Sequence, residues 1–325
     1  MEQTGKWGSL IKGVGLEMTD AVDQGANSYN PGIFSFIHKE STDAAQVNYT
    51  EFTDYTGFGY RTEGENAAKQ ERYKGFDSKY VVDNWSGQVD VTVESIRRNT
   101  IGDALNSGQM RGRDAMRFKD KLGYQLLNAG FDNNNTEKNG FKLNWFGDAK
   151  PQFSVQHPSA VPGGSTQSNA SATNLALTDE DDLEVAMLAL EYQTQDNGAL
   201  LDLAGSLVIA IPLELERKAR IMTESSQKTG TDYNDVNIYS DGTFGIMSSK
   251  YLSTNNGGSA TAWFMLDSVS HGLHYIEQGG LEIEEDYDSK NRLYSYLIHG
   301  YGTVASKGWK GSWASKGTGS GSYTA

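Results

Sequence analysis

Between Ile101 and Gly130 the apolar residues Ala104, Leu105, Ala115, Phe118, Leu122 and Leu126 recur at separations of three, four or their sums, which places them on one side of a helix. The pattern predicts one amphipathic helix of roughly 25 to 30 residues, about 40 Å long, ending near Ala129-Gly130 before the Asn-rich turn at 131–135. A rod of that length is a beam on which the rest of the chain has to be arranged.

The segments before the beam are less regular. Residues 1–50 mix Gly, Asn and Ser with isolated aromatics such as Phe34, Phe36 and Tyr49, and read as an extended arm. Residues 51–87 carry Tyr55, Phe58, Tyr60, Tyr73, Phe76, Tyr80 and Trp85 among Gly, Lys and Glu, as in a long twisted hairpin, which alone would be marginally stable. From Gln88 to Ile96 the run Val89-Asp90-Val91-Thr92-Val93-Glu94 alternates with period two, a half-buried strand. The aromatic groups of residues 1–87 have no self-sufficient pattern, so their apolar surface is expected to be covered by other copies of the chain.

Beyond the beam, residues 163–174 form a polar, low-complexity stretch that predicts an exposed loop. Thr178 and Asp181 open a helix carrying Leu183, Ala186, Met187 and Leu190. The continuous apolar run from Ser206 to Ile211 predicts a strand covered on both faces, with Pro212 starting a helix lined by Leu215, Ala219 and Met222. Further strands are expected at 235–239, 244–252, 260–266, 281–285 and 293–301, the last two joined by a turn at 286–291. Helices and strands alternate between about 176 and 280, so this stretch reads as an α/β unit inserted before a closing hairpin.

Composition removes several classes of function. The 325 residues include no cysteine, which excludes disulfides, thiolate zinc sites and cysteine nucleophiles. The longest clean apolar stretch, Leu207 to Pro212, is too short to cross a bilayer, and the first residues lack a secretion signal, so no membrane association is expected. A formal charge of −14 opposes dedicated recognition of nucleic acid.

The recognisable motifs have structural explanations. Gly300-Tyr301-Gly302-Thr303-Val304-Ala305 matches the opening of a dinucleotide fingerprint, but the residues after it cannot start the helix that would hold a pyrophosphate. His271, His274 and Glu277 are spaced by threes, yet Gly272 argues against a helix, and in a strand the two histidines point apart. Packing histidines are the expectation. Asp132-x-Asn134 and Asp286-x-Asp288 lack the Gly and Glu of a calcium loop and read as Asx turns. No cofactor, metal or catalytic residue is assigned, and the chain is expected not to be an enzyme.

Charge is unevenly distributed. Residues 97–121 hold Arg97, Arg98, Arg111, Arg113, Arg117, Lys119 and Lys121 against three aspartates, while 282–288 hold Glu282, Glu284, Glu285, Asp286 and Asp288. Either both are solvated faces, or the basic side of the beam meets the acidic strand of a neighbouring copy or lies near nucleic acid.

Taken in order, arm, aromatic hairpin, beam helix, α/β insertion and closing hairpin resemble the major capsid proteins of tailed bacteriophages, with the Hong Kong 97-type fold shared by encapsulins. Leu207-Val208-Ile209-Ala210-Ile211-Pro212-Leu213-Glu214 resembles the family's strand and helix start. The runs at 244–252 and 263–267 are similar to the strands that follow it in Mu-like major head subunits. The resemblance implies an α+β fold: an N-terminal arm (1–50), an extended hairpin or E-loop (51–96), a peripheral region with the spine helix (97–175), an axial α/β domain (176–280), and a peripheral return hairpin with the C-terminal tail (281–325).

It also implies a structural subunit that self-assembles through hexamers and pentamers into an icosahedral head around double-stranded DNA, located in the virion after assembly in the host cytoplasm. The implied partners are other copies, a portal, a separate scaffolding protein or none, decoration proteins where a head carries them, and packaged DNA through weak unspecific contact. Candidate residues at contacts between subunits are Phe58, Tyr60, Tyr73, Phe76, Tyr80 and Trp85, the basic Arg111, Arg113 and Arg117, and the acidic Glu282, Glu284 and Glu285. Some relatives crosslink a hairpin lysine to an asparagine of a neighbour with a glutamate assisting, and Lys69, Lys74 and Lys79 occupy that hairpin here, with no acceptor asparagine marked. The rival readings are an encapsulin-like compartment or β-rich binding protein, and a hydrolase using an acidic cluster.

Overall fold

A computed structural model describes residues 2–53, 60–66, 72–98, 100–132, 137–138, 140–227, 236–240 and 242–317. In chain order the elements are α1 (Glu2–Asn27), α2 (Ile33–Phe36), β1 (His38–Ser41), β2 (Gln46–Phe52), β3 (Lys74–Val81), β4 (Asp83–Thr92), α3 (Val93–Arg97), α4 (Gly102–Asn128), β5 (Glu137–Lys138) and β6 (Phe141–Asn144). They continue with α5 (Glu180–Glu191), β7 (Leu207–Pro212), α6 (Leu213–Glu224), β8 (Phe244–Ser249), β9 (Trp263–Asp267), β10 (Leu273–Asp288), β11 (Leu293–Ser306) and β12 (Ser312–Ser315). The chain divides into two units, residues 1–45, 82–123 and 275–303, and residues 46–81, 124–274 and 304–325.

The first unit is built on α1, most of α4 and a sheet. The predicted beam is α4, a 27-residue helix. The expected extended arm is instead largely helical: α1 runs for 26 residues. Its buried residues Val14, Met18, Ala21 and Val22 recur at four, three and one, a helical stripe. Val14, Met18 and Val22 join Val89, Val91, Ile96, Tyr296 and Ile298 in one apolar cluster. The two helices touch backbone to backbone. A Cβ on Gly112 of α4 would stand 1.9 Å from the Val22 carbonyl oxygen, and one on Gly25 of α1 would stand 2.0 Å from that of Gln109, so only glycine permits this approach. In the sheet, β10 lies between β1 and β11, and β4 pairs antiparallel with β11 from Leu293↔Thr92 to Gly302↔Asp83.

The expected hairpin of 51–87 has different limits. Its strands are β2 and β3, paired from Gln46↔Val81 to Phe52↔Lys74, while 83–92 leaves to join β11. The alternation starting at Gln46 includes Val47 and Tyr49, so the hairpin begins inside the segment read as arm. Tyr55 and Phe58 lie outside the described residues.

The second unit holds the α/β part. Its sheet has the order β12-β9-β7-β8, with β7 parallel to β8 and antiparallel to β9. Parallel neighbours require a crossover, and α6 supplies it, starting directly after Pro212, whose φ of −69° suits a helix entry. The capping box of α5 falls one residue later than predicted, with Asp179 and Asp182 satisfying each other's backbone N–H groups. Leu183, Ala186, Leu190, Ile209, Ile211, Ala219, Trp263, Met265 and Trp313 fill the core. Trp313 belongs to β12, so the end of the chain, expected in the peripheral hairpin, completes the sheet of this unit. Of the strand expected at 235–239, the described residues 236–239 form a single bridge at Val236 and a turn. The loop 163–174 is not wholly exposed, because Asn169 within it is fully buried.

Candidate functional site

Among the described residues, no group of three or more His, Asp or Glu side chains is arranged to hold a metal ion. The run Gly300–Ala305 lies inside β11. A Cβ at residue 300 would be 2.5 Å from the Trp85 ring and one at residue 302 would be 2.1 Å from the Tyr275 hydroxyl, so these glycines make room for aromatic side chains rather than for a phosphate. His271 is buried and its Nδ1 accepts the Leu273 N–H.

In the first unit, α4 turns Lys119 and Asp120 inward, and both are buried. The Lys119 ammonium pairs with Glu277 of β10, and the rings of Phe34, Trp85 and Tyr275 stand 5.6, 5.6 and 5.5 Å from it. This is a cation held among aromatic faces, the geometry of a cation–π cage. Asp120 accepts hydrogen bonds from the Phe34 N–H at 2.9 Å and the Tyr29 hydroxyl at 3.0 Å. Burial, and then the negative Glu277, push the Tyr275 hydroxyl far above the ordinary tyrosine range. The cage is filled by the chain's own lysine and fastens the segment after α1 to α4 and β10.

A second polar cluster lies in the second unit. The imidazole of His157 sits between the Asp148 carboxylate at 2.6 Å and Asn169 Oδ1 at 2.9 Å, and stacks on Trp309 with ring centres 4.4 Å apart. Beside Trp309, Lys310 places its ammonium 2.9 Å from Asp196 Oδ2 and 4.0 Å from Glu51 Oε1. Glu51 is held above the usual carboxylate range by burial, against the pull of Lys310.

The residues expected at contacts between subunits differ in what they offer. Tyr60 is fully exposed and Tyr73 is 36% exposed. Phe76 packs edge-on against Phe146 at 5.8 Å and is half-buried. Tyr80 is a correction: it is completely buried in its own chain, donates its hydroxyl to the Ser306 carbonyl at 2.8 Å, and has no surface to present to a neighbour. Trp85 packs on Phe118 at 5.4 Å and forms one wall of the Lys119 cage. Phe58 and Lys69 lie outside the described residues; Lys74 pairs with Asp77 at 2.6 Å.

Arg111 and Arg113 are exposed on α4, the latter donating to Ser28 Oγ, while Arg117 pairs with Asp114 at 2.7 Å. The acidic run does not form one face. Glu282 and Glu284 share one side of β10, where Glu282 lies 3.3 Å from His299. Glu285 falls on the other side with Ile283, next to Gly15 of α1, and partial burial raises its pKa.

Two features were missed in the sequence. Lys310, Asp196 and Glu51 are too far apart in the chain for any spacing rule to join them. On α5, Val185, Leu188 and Tyr192 just beyond its end are 52%, 37% and 68% exposed, a second apolar stripe opposite the buried Leu183, Ala186 and Leu190. Its signal was present, since apolar residues occupy both sides of that helix.

The family model of phage capsid proteins matches residues 75–314. No curated protein matches the chain. Among solved structures, the capsid of Ralstonia phage GP4 is similar with a TM-score of 0.54 at 15% identity, covering 89% of each chain. The mature capsid of bacteriophage PhiM1 gives 0.52 at 10% identity over 89% of this chain and 88% of that one. The capsid of a native GTA particle gives 0.53 at 10% identity over 89% and 90%. The match is to phage capsid proteins at large and does not single out Mu-like subunits. With a mixed α+β architecture and residues 75–314 matched by the family model, the chain belongs to the phage capsid protein family, a structural major capsid subunit of the virion with the Hong Kong 97-type fold.

Proposed function

We propose that copies of this chain join in rings of six and five that close an icosahedral head around double-stranded DNA. The observation that carries this reading is the aromatic surface of the β2–β3 hairpin and its tip, where Phe52 is 51% exposed, Tyr73 36% and Tyr60 wholly so. Rings in such numbers on a two-stranded ribbon are stable when a second surface covers them. In the proposed head the hairpin lies over an adjacent subunit, and Tyr60 and Tyr73 are its anchors.

The α/β part serves as the axial domain, with Val185, Leu188 and Tyr192 of α5 touching the next copy around the ring. Arg111, Arg113 and Arg117 oppose Glu282 and Glu284 of a neighbour, a complementarity that governs register more than affinity. A portal, a scaffold and decoration proteins are the further partners. With a formal charge of −14 per copy, the wall contributes little to neutralising packaged phosphate, which falls to counterions.

Nuclease-treated particles test the DNA assignment. Duplex DNA released only when the particles are disrupted supports it. Intact shells that hold a protein cargo and no DNA replace it with the compartment reading.

A further inference from the structure

Lys310, Asp196 and Glu51 form an arrangement that an ordinary ion pair does not require. The side chains of Lys310 and Asp196 are 22% and 6% exposed, and that of Glu51 is 18% exposed, so three ionisable groups share one largely dry site within the second unit. Lys310 Nζ is 2.9 Å from Asp196 Oδ2. The two partners are rigidly presented. Asp196 lies in a turn closed by the Gln195 N–H on the Ala199 carbonyl at 2.7 Å and the Leu201 N–H on the Gln193 carbonyl at 2.8 Å. The Gln193 side chain ties that turn to the segment carrying Lys310, donating to the Ser312 carbonyl at 2.9 Å and accepting the Gly311 N–H at 2.8 Å. Glu51 is placed by β2, and the Phe76 N–H of β3 donates to its carboxyl group. The Trp309 ring, 5.8 Å from the ammonium, covers the site on one side.

We propose that this site is a covalent modification site, at which Lys310 and Asp196 of the same chain condense to an intramolecular isopeptide bond with Glu51 as the proton-transfer group. Within the pair a proton passes from the Lys310 ammonium to the Asp196 carboxylate, giving a neutral amine and a carboxylic acid. The Nζ lone pair attacks Asp196 Cγ, forming the N–C bond. Glu51 in its acid form donates a proton to the departing Asp196 hydroxyl oxygen, and its carboxylate then takes one from Nζ. The Cγ–O bond breaks, one water leaves, and Glu51 ends as it began. No oxidant or co-reactant is consumed.

Three features of the site favour the step. Reactants fixed side by side gain the advantage of an intramolecular reaction. A low-dielectric setting penalises the ion pair relative to the neutral amide that replaces it. The same burial keeps Glu51 protonated to higher pH than a free glutamate, as a proton donor requires. Because Glu51 comes from the hairpin, the bond forms only in a chain whose hairpin base has folded into place. The link would close a loop between residues 196 and 310 within one subunit, and it differs from a crosslink between subunits through a hairpin lysine. The inference stands independently of what the particle encloses.

Intact-mass spectrometry of the denatured full-length protein, followed by proteolytic mapping, tests it. The expected result is a chain lighter than its sequence by the mass of one water, with a branched peptide joining residue 196 to residue 310. Lys310→Arg, which keeps the positive charge, and Glu51→Gln should both restore the full mass while retaining native circular dichroism. A folded wild-type chain at full sequence mass with separate 196 and 310 peptides overturns the proposal, as does a water loss that maps elsewhere. Linkage that persists in Glu51→Gln overturns the role given to Glu51.

Discussion

Gly112 of α4 lies against the main-chain carbonyl of Val22 of α1, close enough that a Cβ would stand 1.9 Å from the oxygen. The contact sets how closely the two helices pack. Gly112→Ala should therefore force them apart and destabilise the subunit by about 2 kcal/mol, in the range for overpacked cores. Thermal denaturation of the unassembled protein measures this, and an unchanged midpoint would show that the helices are not in backbone contact.

The Lys119–Glu277 pair separates two kinds of substitution. Glu277→Ala leaves a buried ammonium without its carboxylate and should cost about 2–4 kcal/mol, whereas replacing both partners together by Lys119→Met and Glu277→Leu should recover most of that loss. Chemical denaturation of the two variants checks the order. Equal destabilisation would mean that the aromatic cage, not the ion pair, carries the stability.

Tyr296 has a buried hydroxyl without a hydrogen-bond partner among the described residues, and burial pushes its pKa up to about 12 from the ordinary 10.0. The folded chain keeps the phenol proton more tightly than the unfolded one. The stability this represents is fully present below pH 10.0 and is lost as pH rises through about 12. Tyr296→Phe should flatten the alkaline limb of stability against pH and cost little at neutral pH, because it removes a buried polar atom that has no partner among the described residues.

Asp288 closes the β10–β11 turn by accepting the N–H groups of Lys290 at 2.8 Å and Asn291 at 3.3 Å, and these bonds hold its pKa below the usual carboxylate value. A depressed folded pKa contributes stability above the unfolded value that is lost as pH falls through the folded one. Asp288→Asn should therefore weaken the acid dependence of hairpin order, read from amide exchange at the turn. An unaltered acid profile would show that the turn is held by other contacts.

Tyr60 and Tyr80 should behave oppositely. Tyr60→Ala, at a fully exposed position, should leave subunit stability within about 0.5 kcal/mol while reducing particle yield. Tyr80→Phe removes the bond to the Ser306 carbonyl and should cost about 1 kcal/mol in the subunit itself. Particle yield and denaturation midpoints, measured on both variants, distinguish a contact residue from a core residue.

What the sequence disclosed follows from how far apart the interacting residues are. The α4 beam was legible because Phe118, Leu122 and Leu126 repeat within a single element, and β7 with α6 because a continuous apolar run meets Pro212. Helix α1 was not, since Gly5, Gly8, Gly13, Gly15 and Gly25 lower its propensity and mask the spacing of Val14, Met18 and Val22. Gly25 carries its information only once Gln109 of α4 is beside it. The same holds for Gly300 and Gly302, whose meaning depends on Trp85 and Tyr275 from other elements. The acidic run was read as one patch because charge was counted without the alternation of a strand, which sends Glu285 away from Glu282 and Glu284. Lys310, Asp196 and Glu51 meet only in three dimensions.

Electron microscopy of the purified protein, concentrated and negatively stained, tests the capsid assignment most directly. The account predicts closed, uniform shells whose yield falls in Tyr60→Ala. A wild-type protein that stays a dispersed single copy at every concentration and ionic strength would contradict it.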